Sequence, residues 1–218
     1  ELDEIVAVCV KWNIPLVEDA AESLGSFYKG KHTGTIGDLG ALSFNGNKVI
    51  TTGGGGMVLC KDAELGKRTK YVTTTAKVPH PYEFFHDEPG FNYRLPNLNA
   101  ALGCAQMESL PAFLQQKRHI AQQYQAFFAN TEFDFVVEPD YAQSNYWLNA
   151  VICPDEETRD RLLQTTNDAG VMTRPIWKLM HRLPFLSNSL RGDLTNSEYI
   201  ETHLINLPSS PFSNGAKV

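Results

Sequence analysis

The sequence predicts an α/β fold followed by a smaller α+β region. In the first 60 residues a helical pattern precedes three short apolar runs that are separated by loops, at residues 14–17, 39–44 and 57–60. Strands that alternate with helices on short connections are typical of α/β proteins with a mostly parallel sheet. From about Phe133 the pattern changes to short strands around one helix. We therefore predict a first domain over residues 1–110 and a small carboxy-terminal domain over residues 111–218.

The first predicted element is an amphipathic helix, in which Asn13 can form the carboxy-terminal cap. Its apolar residues recur at helical spacing on one face, at Ile5, Val6, Cys9 and Val10. A short buried strand is predicted next, over Ile14 to Val17, with Pro15 tolerated only near its start. Because no initiator methionine precedes Glu1 and the helix begins almost at once, we expect the fold to be entered partway through.

Two further strands enclose a polar, glycine-rich turn. The apolar run from Leu39 to Phe44 leads through Asn-Gly-Asn to Lys48, and residues 57–60 form the next strand candidate. Between them, Thr51 to Gly56 contains four consecutive glycines, which permit positive φ and close approach of the backbone. This stretch either borders a ligand or another chain, or is a mobile hairpin tip. Residues 72–92 are rich in proline, histidine and aromatic residues, and we predict an extended loop there.

Helices are predicted in the middle of the chain and again near residues 156–166. Asn97 is a suitable cap for the first of two consecutive helices, and Pro111 can occupy the first turn of the second. In the carboxy-terminal part, strands are predicted over residues 146–152 and 171–177.

The composition excludes several classes of protein. With 42% hydrophobic and 20% charged residues, the chain can bury an ordinary core, as a globular protein does. The formal net charge is −6 and there is no run of Lys or Arg, so we predict no nucleic-acid partner. No apolar stretch is long enough to cross a bilayer and no secretory signal opens the chain. We therefore expect a soluble, cytoplasmic protein without a membrane partner.

Neither the cysteines nor the histidines form a recognisable metal-binding motif. The four cysteines lie far apart, which indicates buried free thiols in a reducing compartment. The six histidines include no HxxxH pair, so we predict no metal site.

Lys48 and Asp19 are the first candidates for chemistry. A lysine whose surroundings expose a neutral amine can form a Schiff base, although most lysines are solvated surface residues. Asp19 follows a predicted buried strand, at the edge where α/β proteins bind ligands. Its carboxylate could keep a pyridine ring protonated, or it could cap the following turn through Ala20 and Ala21. Taken singly, these positions leave both interpretations open.

The order of these segments resembles the DegT/DnrJ/EryC1/StrS family of sugar aminotransferases, which has the aspartate-aminotransferase fold. The family pattern is an acidic D-A-A segment, a G-D-x-G-x-x-S-F strand, a Schiff-base lysine shortly after the serine, and a glycine-rich turn. The corresponding segments here are Glu18–Glu22, Gly37–Phe44, Lys48 and Thr51–Gly56. Downstream, His86–Arg94 matches H-x-x-x-G-x-N-x-R, and Arg174–Pro184 matches R-x-x-x-x-x-x-H-x-x-P. The resemblance covers nearly the whole chain.

This resemblance implies pyridoxal 5'-phosphate as the cofactor and assigns residues to it. Lys48 would hold the cofactor as a Schiff base and would shuttle the proton during transamination. Asp19 would pair with the pyridine nitrogen, and Ser43 would contact the phosphate. Glu22 stands near the ring hydroxyl, where many members carry Gln or His. Asn92 would reach the phosphate of the neighbouring subunit, because family members build each active site across a dimer.

At the substrate end, the resemblance points to Arg174 and His181, for which a structural role is an equal alternative. The implied reaction is a ping-pong transamination, in which an amino-acid donor, expected to be glutamate, supplies the amine to a nucleotide-linked 4-keto sugar. Two segments, Thr75–Pro81 and Thr173–Trp177, look most like a subgroup that acts on UDP-linked 4-keto-6-deoxy amino sugars in nonulosonic-acid and surface-glycan pathways. Related ketoisomerases and dehydratases replace the lysine by histidine, so Lys48 argues against them.

Family members are longer at the amino end, where they carry the first strands of the large domain, the phosphate loop and an aromatic residue that stacks on the ring. The resemblance therefore implies an amino-terminally truncated chain. Its cut sheet would have an unpaired edge, which self-association into a homodimer or higher homo-oligomer could cover. Two alternatives to an enzyme remain open at this point. One is a non-catalytic remnant that folds by self-association and binds cofactor weakly or not at all, and the other is a sugar-nucleotide binding module.

Overall fold

The computed structural model describes residues 1–211 and divides the chain into two compact units. The first unit comprises Glu1–Leu114 and Pro139–Asn145, and the second comprises Gln115–Glu138 and the chain from Tyr146 onward. The first unit contains two sheets and the second contains one, and each unit has its own hydrophobic core.

Helices and strands are mixed throughout residues 1–211, as predicted for the α/β class. The first half contains α1 (Leu2–Trp12), β1 (Val17–Asp19), β2 (Phe27–Tyr28), β3 (Lys31–His32), β4 (Leu39–Ser43), β5 (Gly56–Cys60) and α2 (Ala63–Thr73). The second half contains α3 (Asn97–Phe128), β6 (Asp134–Phe135), β7 (Ala142–Gln143), β8 (Asn149–Ile152), α4 (Glu156–Asp168), β9 (Arg174–Pro175), α5 (Thr195–His203) and β10 (Leu204–Leu207). Two short 3-10 turns, Met180–Arg182 and Pro184–Leu186, lie between β9 and α5.

The main sheet of the first unit has the strand order β1–β4–β5. β1 runs parallel to β4, with Val17 opposite Leu39 and Asp19 opposite Ala41, and β5 runs antiparallel to β4. Because parallel strands end at the same edge of a sheet, the carboxyl ends of β1 and β4 meet there. The core of this unit is formed by the buried residues Ala20, Leu42, Phe44 and Ile50.

Close approaches between backbone segments explain the glycines of the G-D-x-G motif. A Cβ atom on Gly37 would lie 2.7 Å from the carbonyl oxygen of Leu16, and one on Gly40 would lie 2.0 Å from that of Gly34. Asp38 lies between these glycines, and its Oδ2 accepts a 2.9 Å hydrogen bond from the N–H of Leu16. This bond is the main cause that lowers the pKa of the Asp38 carboxyl group. The motif therefore ties the start of β4 to the residue that precedes β1.

A second, smaller sheet of the first unit has the order β3–β2–β7. In it, Phe27 of β2 lies opposite His32 of β3 and opposite Gln143 of β7. β7 is more than a hundred positions later in the chain than β2. This pairing is the reason that residues 139–145 belong to the first unit.

The sheet of the second unit has the order β6–β8–β10–β9, and all three strand pairs are antiparallel. Its core is formed by the buried residues Val151, Cys153, Ile205 and Leu207. The aromatic rings packed against this core belong to Tyr124, Phe128 and Phe133. The sequence did not predict β10, which is the strand between β8 and β9, because it follows α5 directly without a turn signal.

α3 differs from the prediction that Pro111 begins a second helix. The structure has one helix from Asn97 to Phe128, with Pro111 inside it. A proline in a helix interior removes one N–H donor and usually kinks or ends the helix. Leu110 and Phe113, on either side of this proline, pack against the core of the first unit. We attribute the continuity of the helix to this packing, because most helical stability in proteins comes from tertiary packing.

The first strand and one helix also differ from the predictions. β1 begins at Val17, later than predicted, and Val17 is 61% exposed, so the expectation of a buried strand was wrong. α2 was not predicted, since its apolar residues are few. Its start is set by Asp62, whose Oδ1 accepts 2.9 Å hydrogen bonds from the N–H groups of Glu64 and Leu65. A side-chain cap of this kind satisfies donors that have no partner within the helix.

All four cysteines are free. Cys153 is buried, and burial raises the pKa of its thiol to about 11. Cys9 and Cys60 are only partly buried and Cys104 is exposed, so the expectation of buried thiols is confirmed for Cys153 alone. In the described part of the chain, no group of three or more His, Cys, Asp or Glu residues is placed to hold a metal ion. Across residues 1–211, we find no helix with the length and apolar character that spanning a membrane requires.

Candidate active site

The carboxyl ends of β1 and β4 bring four of the predicted residues to one edge of the main sheet. Asp19 is the last residue of β1, and Ser43 is the last residue of β4. Glu22 and Lys48 lie in the segments that follow these two strands. The carboxyl edge of a parallel pair is where α/β sheets bind ligands. The candidate site therefore lies at this edge of the first unit.

Lys48 and Glu22 form an ion pair at this edge. The Nζ of Lys48 donates a hydrogen bond to Oε1 of Glu22, which lies 26 positions earlier in the chain. The side chain of Lys48 is 12% exposed and that of Glu22 is 45% exposed. The amine of Lys48 is thus largely shielded from solvent, whereas the carboxylate of Glu22 is accessible to solvent.

Asp19 caps the turn that follows β1 and keeps capacity for a further partner. Its Oδ1 accepts a 3.2 Å hydrogen bond from the N–H of Ala21, which is the capping role considered above. Asp19 is an exposed residue. An ionised carboxylate has about four acceptor positions on its two oxygens. The geometry is therefore compatible both with the cap and with a cationic ring nitrogen as a second partner.

The glycine-rich turn after Lys48 has a defined conformation. Its three glycines with positive φ, at 77°, 153° and 98°, are Gly53, Gly54 and Gly55. Glycine adopts these angles without the steric penalty that a Cβ atom brings. The N–H of Thr52 donates to the carbonyl oxygen of Phe44 at 3.0 Å, and Asn99 of α3 donates to the carbonyl oxygen of Thr52 at 2.5 Å. These bonds hold the turn next to the end of β4, where Ser43 accepts a long 3.4 Å bond from the N–H of Asn45.

Glu18, the residue before Asp19 in β1, has a structural role that we did not predict from the sequence. Its Oε1 accepts hydrogen bonds from the N–H groups of Ile36 at 2.7 Å and Gly37 at 2.6 Å. Its Oε2 accepts a 2.7 Å bond from the N–H of Gly34. Three N–H donors on one carboxylate fix the 34–37 loop to β1, beside Asp19. The only feature of the sequence that could have indicated this role is that Glu18 is a second acidic residue, next to Asp19 at the end of a strand.

The remaining predicted residues lie elsewhere in the fold. Asn92 belongs to the first unit, in the segment between α2 and α3, where its backbone pairs with that of Thr74. Arg174 is in β9 of the second unit, and its guanidinium donates 2.8 Å bonds to the side chain of Asn167 and to the carbonyl oxygen of Thr173.

His181 also lies in the second unit, where α5 provides its acidic neighbours. Its Nε2 is 3.7 Å from Oε1 of Glu198. The adjacent Arg182 approaches the buried Glu201, with 2.9 Å between Nε and Oε2. The 3-10 turn that carries His181 is thus attached to α5 by charged contacts, which favours a structural contribution in addition to any binding role.

Comparison with known proteins gives concordant matches. The whole sequence, residues 1–218, matches the DegT/DnrJ/EryC1/StrS aminotransferase family. EpsN from Bacillus subtilis (strain 168) is 36% identical over 192 residues, which cover 87% of this chain and 49% of that protein. GDP-perosamine synthase from Escherichia coli O157:H7 is 34% identical over 218 residues, which cover 100% of this chain and 59% of that protein.

A third relative is the UDP-4-amino-4,6-dideoxy-N-acetyl-beta-L-altrosamine transaminase of Campylobacter jejuni serotype O:23/36 (strain 81-176). It is 33% identical over 186 residues, which cover 82% of this chain and 50% of that protein. The chain therefore spans about half to three fifths of the length of these relatives.

Solved structures show the same fold. The aminotransferase TlmJ from Streptoalloteichus hindustanus matches with a TM-score of 0.87 and 27% identity, over 94% of this chain and 55% of that chain. The PLP form of Spr1654 from Streptococcus pneumoniae matches with a TM-score of 0.82 and 25% identity, over 92% of this chain and 54% of that chain.

Proposed function

Because this chain belongs to the DegT/DnrJ/EryC1/StrS aminotransferase family, we propose that it acts in a pyridoxal-phosphate-dependent transamination of a nucleotide-linked 4-keto sugar. The amino donor in this proposal is an amino acid, glutamate. The observation that carries the proposal is the Lys48–Glu22 pair at the carboxyl edge of the sheet, next to Asp19 and Ser43.

The chemistry of these side chains fits pyridoxal phosphate. Lys48 supplies an amine that can hold the cofactor aldehyde covalently, and Asp19 supplies an exposed carboxylate for the ring nitrogen. Ser43 supplies a hydroxyl group for the phosphate. When bound, the cofactor serves as an electron sink for the amine-bearing carbon.

The protein residues would orient the reaction and move its proton. Lys48 would transfer the proton between the two carbon atoms that exchange it, since its Nζ is shielded and held at the sheet edge. Asp19 would keep the ring nitrogen protonated, because a carboxylate favours the charged form of a base beside it. Glu22 would hold the amine of Lys48 in place and approach the ring hydroxyl.

The names of the relatives support a nucleotide-linked sugar as the acceptor. One relative is named for a GDP-linked sugar and another for a UDP-linked 4-amino sugar. We therefore propose a UDP- or GDP-linked 4-keto-6-deoxy sugar of a surface-glycan or nonulosonic-acid pathway as substrate. Arg174 and His181 are proposed to contact its nucleotide end, as the resemblance implies.

We also propose that this chain self-associates in the cytoplasm. In the assembly, Asn92 would reach the cofactor phosphate of a neighbouring subunit. The segment that carries Asn92 has large exposed aromatic side chains, at Tyr82, Phe84, Phe85 and Tyr93. Exposed apolar surface of this extent supports an interface between protein chains.

Covalent trapping of the cofactor tests the proposal. The purified chain is mixed with pyridoxal phosphate, its visible absorption is recorded, and the mixture is reduced with borohydride and mapped by peptide mass spectrometry. We expect a visible band and a reduced adduct on Lys48. Lys48→Ala is expected to lose both, whereas Lys61→Ala, a control at an exposed lysine of the same unit, is expected to keep them.

Retention of the adduct in Lys48→Ala would refute the assignment of the lysine. A folded sample without any adduct would refute cofactor binding by this chain and favour the non-catalytic alternative. If the adduct forms on Lys48, the proposed substrates are tested next by measuring turnover of glutamate with GDP- and UDP-linked 4-keto sugars.

A further inference from the structure

Asn145 is a buried residue that reaches the turn carrying Glu22. It is 3% exposed and belongs to the 139–145 segment, which β7 brings into the first unit. Its side-chain Nδ2 donates two hydrogen bonds, to the carbonyl oxygen of Glu22 at 2.6 Å and to that of Leu24 at 3.0 Å. Its backbone N–H donates to Oγ of Ser26 at 3.0 Å. One residue thus contacts the 22–26 turn at three points.

Two further contacts restrain the backbone of this turn at Gly25. Gly25 has a φ of 85°, and a Cβ atom there would lie 2.6 Å from the side chain of Leu114. The N–H of Gly25 donates to Nε2 of His32 at 2.9 Å. Leu114 and Asn145 therefore limit the positions that the turn can take, and Glu22 is the residue of this turn that contacts Lys48.

We propose that Asn145 is a positioning residue of the candidate active site, which holds the 22–26 turn so that the Glu22 carboxylate stays against the Lys48 amine. Its importance for transamination rests on the function proposed above. Its effect on the Lys48–Glu22 pair follows from the hydrogen bonds alone and can be measured without cofactor.

The alternative is that Asn145 only stabilises the fold. The experiment must distinguish this role from the positioning of Glu22. Removal of any buried amide that makes hydrogen bonds is destabilising. A positioning residue has a second property: its effect on Lys48 must pass through Glu22. The effects of the two substitutions on Lys48 are then not independent, which a double-mutant cycle measures.

The experiment is competitive acetylation of the cofactor-free chain with acetic anhydride, with the labelling rate of Lys48 read by peptide mass spectrometry. Four proteins are compared: wild type, Glu22→Gln, Asn145→Ala and the double variant. Because each single substitution releases Nζ from its ion pair, we expect each to speed labelling of Lys48 by about threefold to tenfold. We expect the double variant to label no faster than Glu22→Gln.

Asn149→Ala provides the matched control. Asn149 is also a buried amide, 1% exposed, but it donates to Oγ of Ser209 in the second unit. We expect this variant to lower the melting temperature without changing the labelling rate of Lys48. An equal increase of the rate in Asn149→Ala would overturn the proposal, because general destabilisation would then explain the result.

Two other outcomes would also overturn it: wild-type labelling in Asn145→Ala, or effects that multiply in the double variant. If Asn145→Ala does not fold, Asn145→Ser replaces it, and wild-type labelling in that variant counts against the proposal. The wild type is also mixed with pyridoxal phosphate and reduced with borohydride in parallel. An absent cofactor adduct would refute the proposed function, while the labelling cycle would still decide the role of Asn145.

Discussion

Glu18→Gln is the substitution for which the structure gives the most direct estimate of stability. The carboxylate of Glu18 accepts hydrogen bonds from three backbone N–H groups of the 34–37 loop, at 2.6 to 2.7 Å. Glutamine has the same size, but its amide group places N–H donors where one oxygen stands. If the amide nitrogen takes the position of Oε2, the bond from Gly34 is lost. If it takes the position of Oε1, the bonds from Ile36 and Gly37 are lost.

The loss of the single bond from Gly34 is the smaller of the two, so it sets the expected decrease in the free energy of unfolding. Hydrogen bonds to a charged group contribute about 1.5–3 kcal/mol each, and an unsatisfied N–H adds a desolvation penalty of about 1–3 kcal/mol. Since Glu18 is only partly buried, water can relieve some of the penalty at Gly34. We therefore expect Glu18→Gln to lower the free energy of unfolding by roughly 2–4 kcal/mol.

Urea denaturation followed by circular dichroism measures this free energy, and amide hydrogen exchange at residues 34–37 reports on the loop directly. Glu64→Gln is the matched control, because Glu64 is 83% exposed and pairs only with Lys67 among the ion pairs of α2. We expect that variant to stay within about 0.5 kcal/mol of wild type. A loss below about 0.5 kcal/mol in Glu18→Gln, with unchanged exchange of the loop amides, would show that the three bonds do not fix the loop.

Three further predictions follow from the same structure. Gly40→Ala is expected to destabilise the chain by more than about 2 kcal/mol, because its Cβ would lie 2.0 Å from the carbonyl oxygen of Gly34; a melting temperature equal to that of wild type would contradict the close approach. Asp19→Asn is expected to preserve the cofactor adduct on Lys48 and to slow transamination about tenfold or more; near-normal turnover would exclude the role of Asp19 at the ring nitrogen. Burial lowers the pKa of Lys117 from 10.5 to about 8, so the unfolded state binds more protons between these values and stability should rise with pH across this window. Lys117→Met should reduce this rise in a series of thermal melts, and an identical pH dependence in both proteins would refute it.

Elements whose signals lie within a few consecutive residues were predicted correctly from the sequence. Short apolar runs separated by loops predicted β4 and β5, and the helical spacing after Glu1 predicted α1. Asn13 was expected to end α1, and it adopts the left-handed conformation, with its N–H bonded to the carbonyl oxygens of Cys9 and Val10. Such features depend on a few consecutive residues, so they can be predicted from the sequence without knowledge of the tertiary structure.

Predictions failed where packing outweighs local preference. Pro111 usually ends a helix, yet α3 continues through it, and we attribute this to the packing of Leu110 and Phe113 against the core of the first unit. Val17 has the apolar character of a buried strand residue, yet it is 61% exposed. The burial of a side chain is a property of its neighbours in space, and composition alone does not determine it.

For the candidate site, too, local features were predicted from the sequence and long-range contacts were not. The sequence by itself was enough to recognise the resemblance to the family and, through it, the candidates Lys48, Asp19 and Ser43, because the family motifs are short runs of neighbouring residues. Only the tertiary structure decided that Glu22 pairs with Lys48, 26 positions away, and that Asn145 holds the Glu22 turn from 123 positions away. Contacts over such separations are set by strand register and by the packing of loops on the sheet, and they leave no periodic pattern in the sequence.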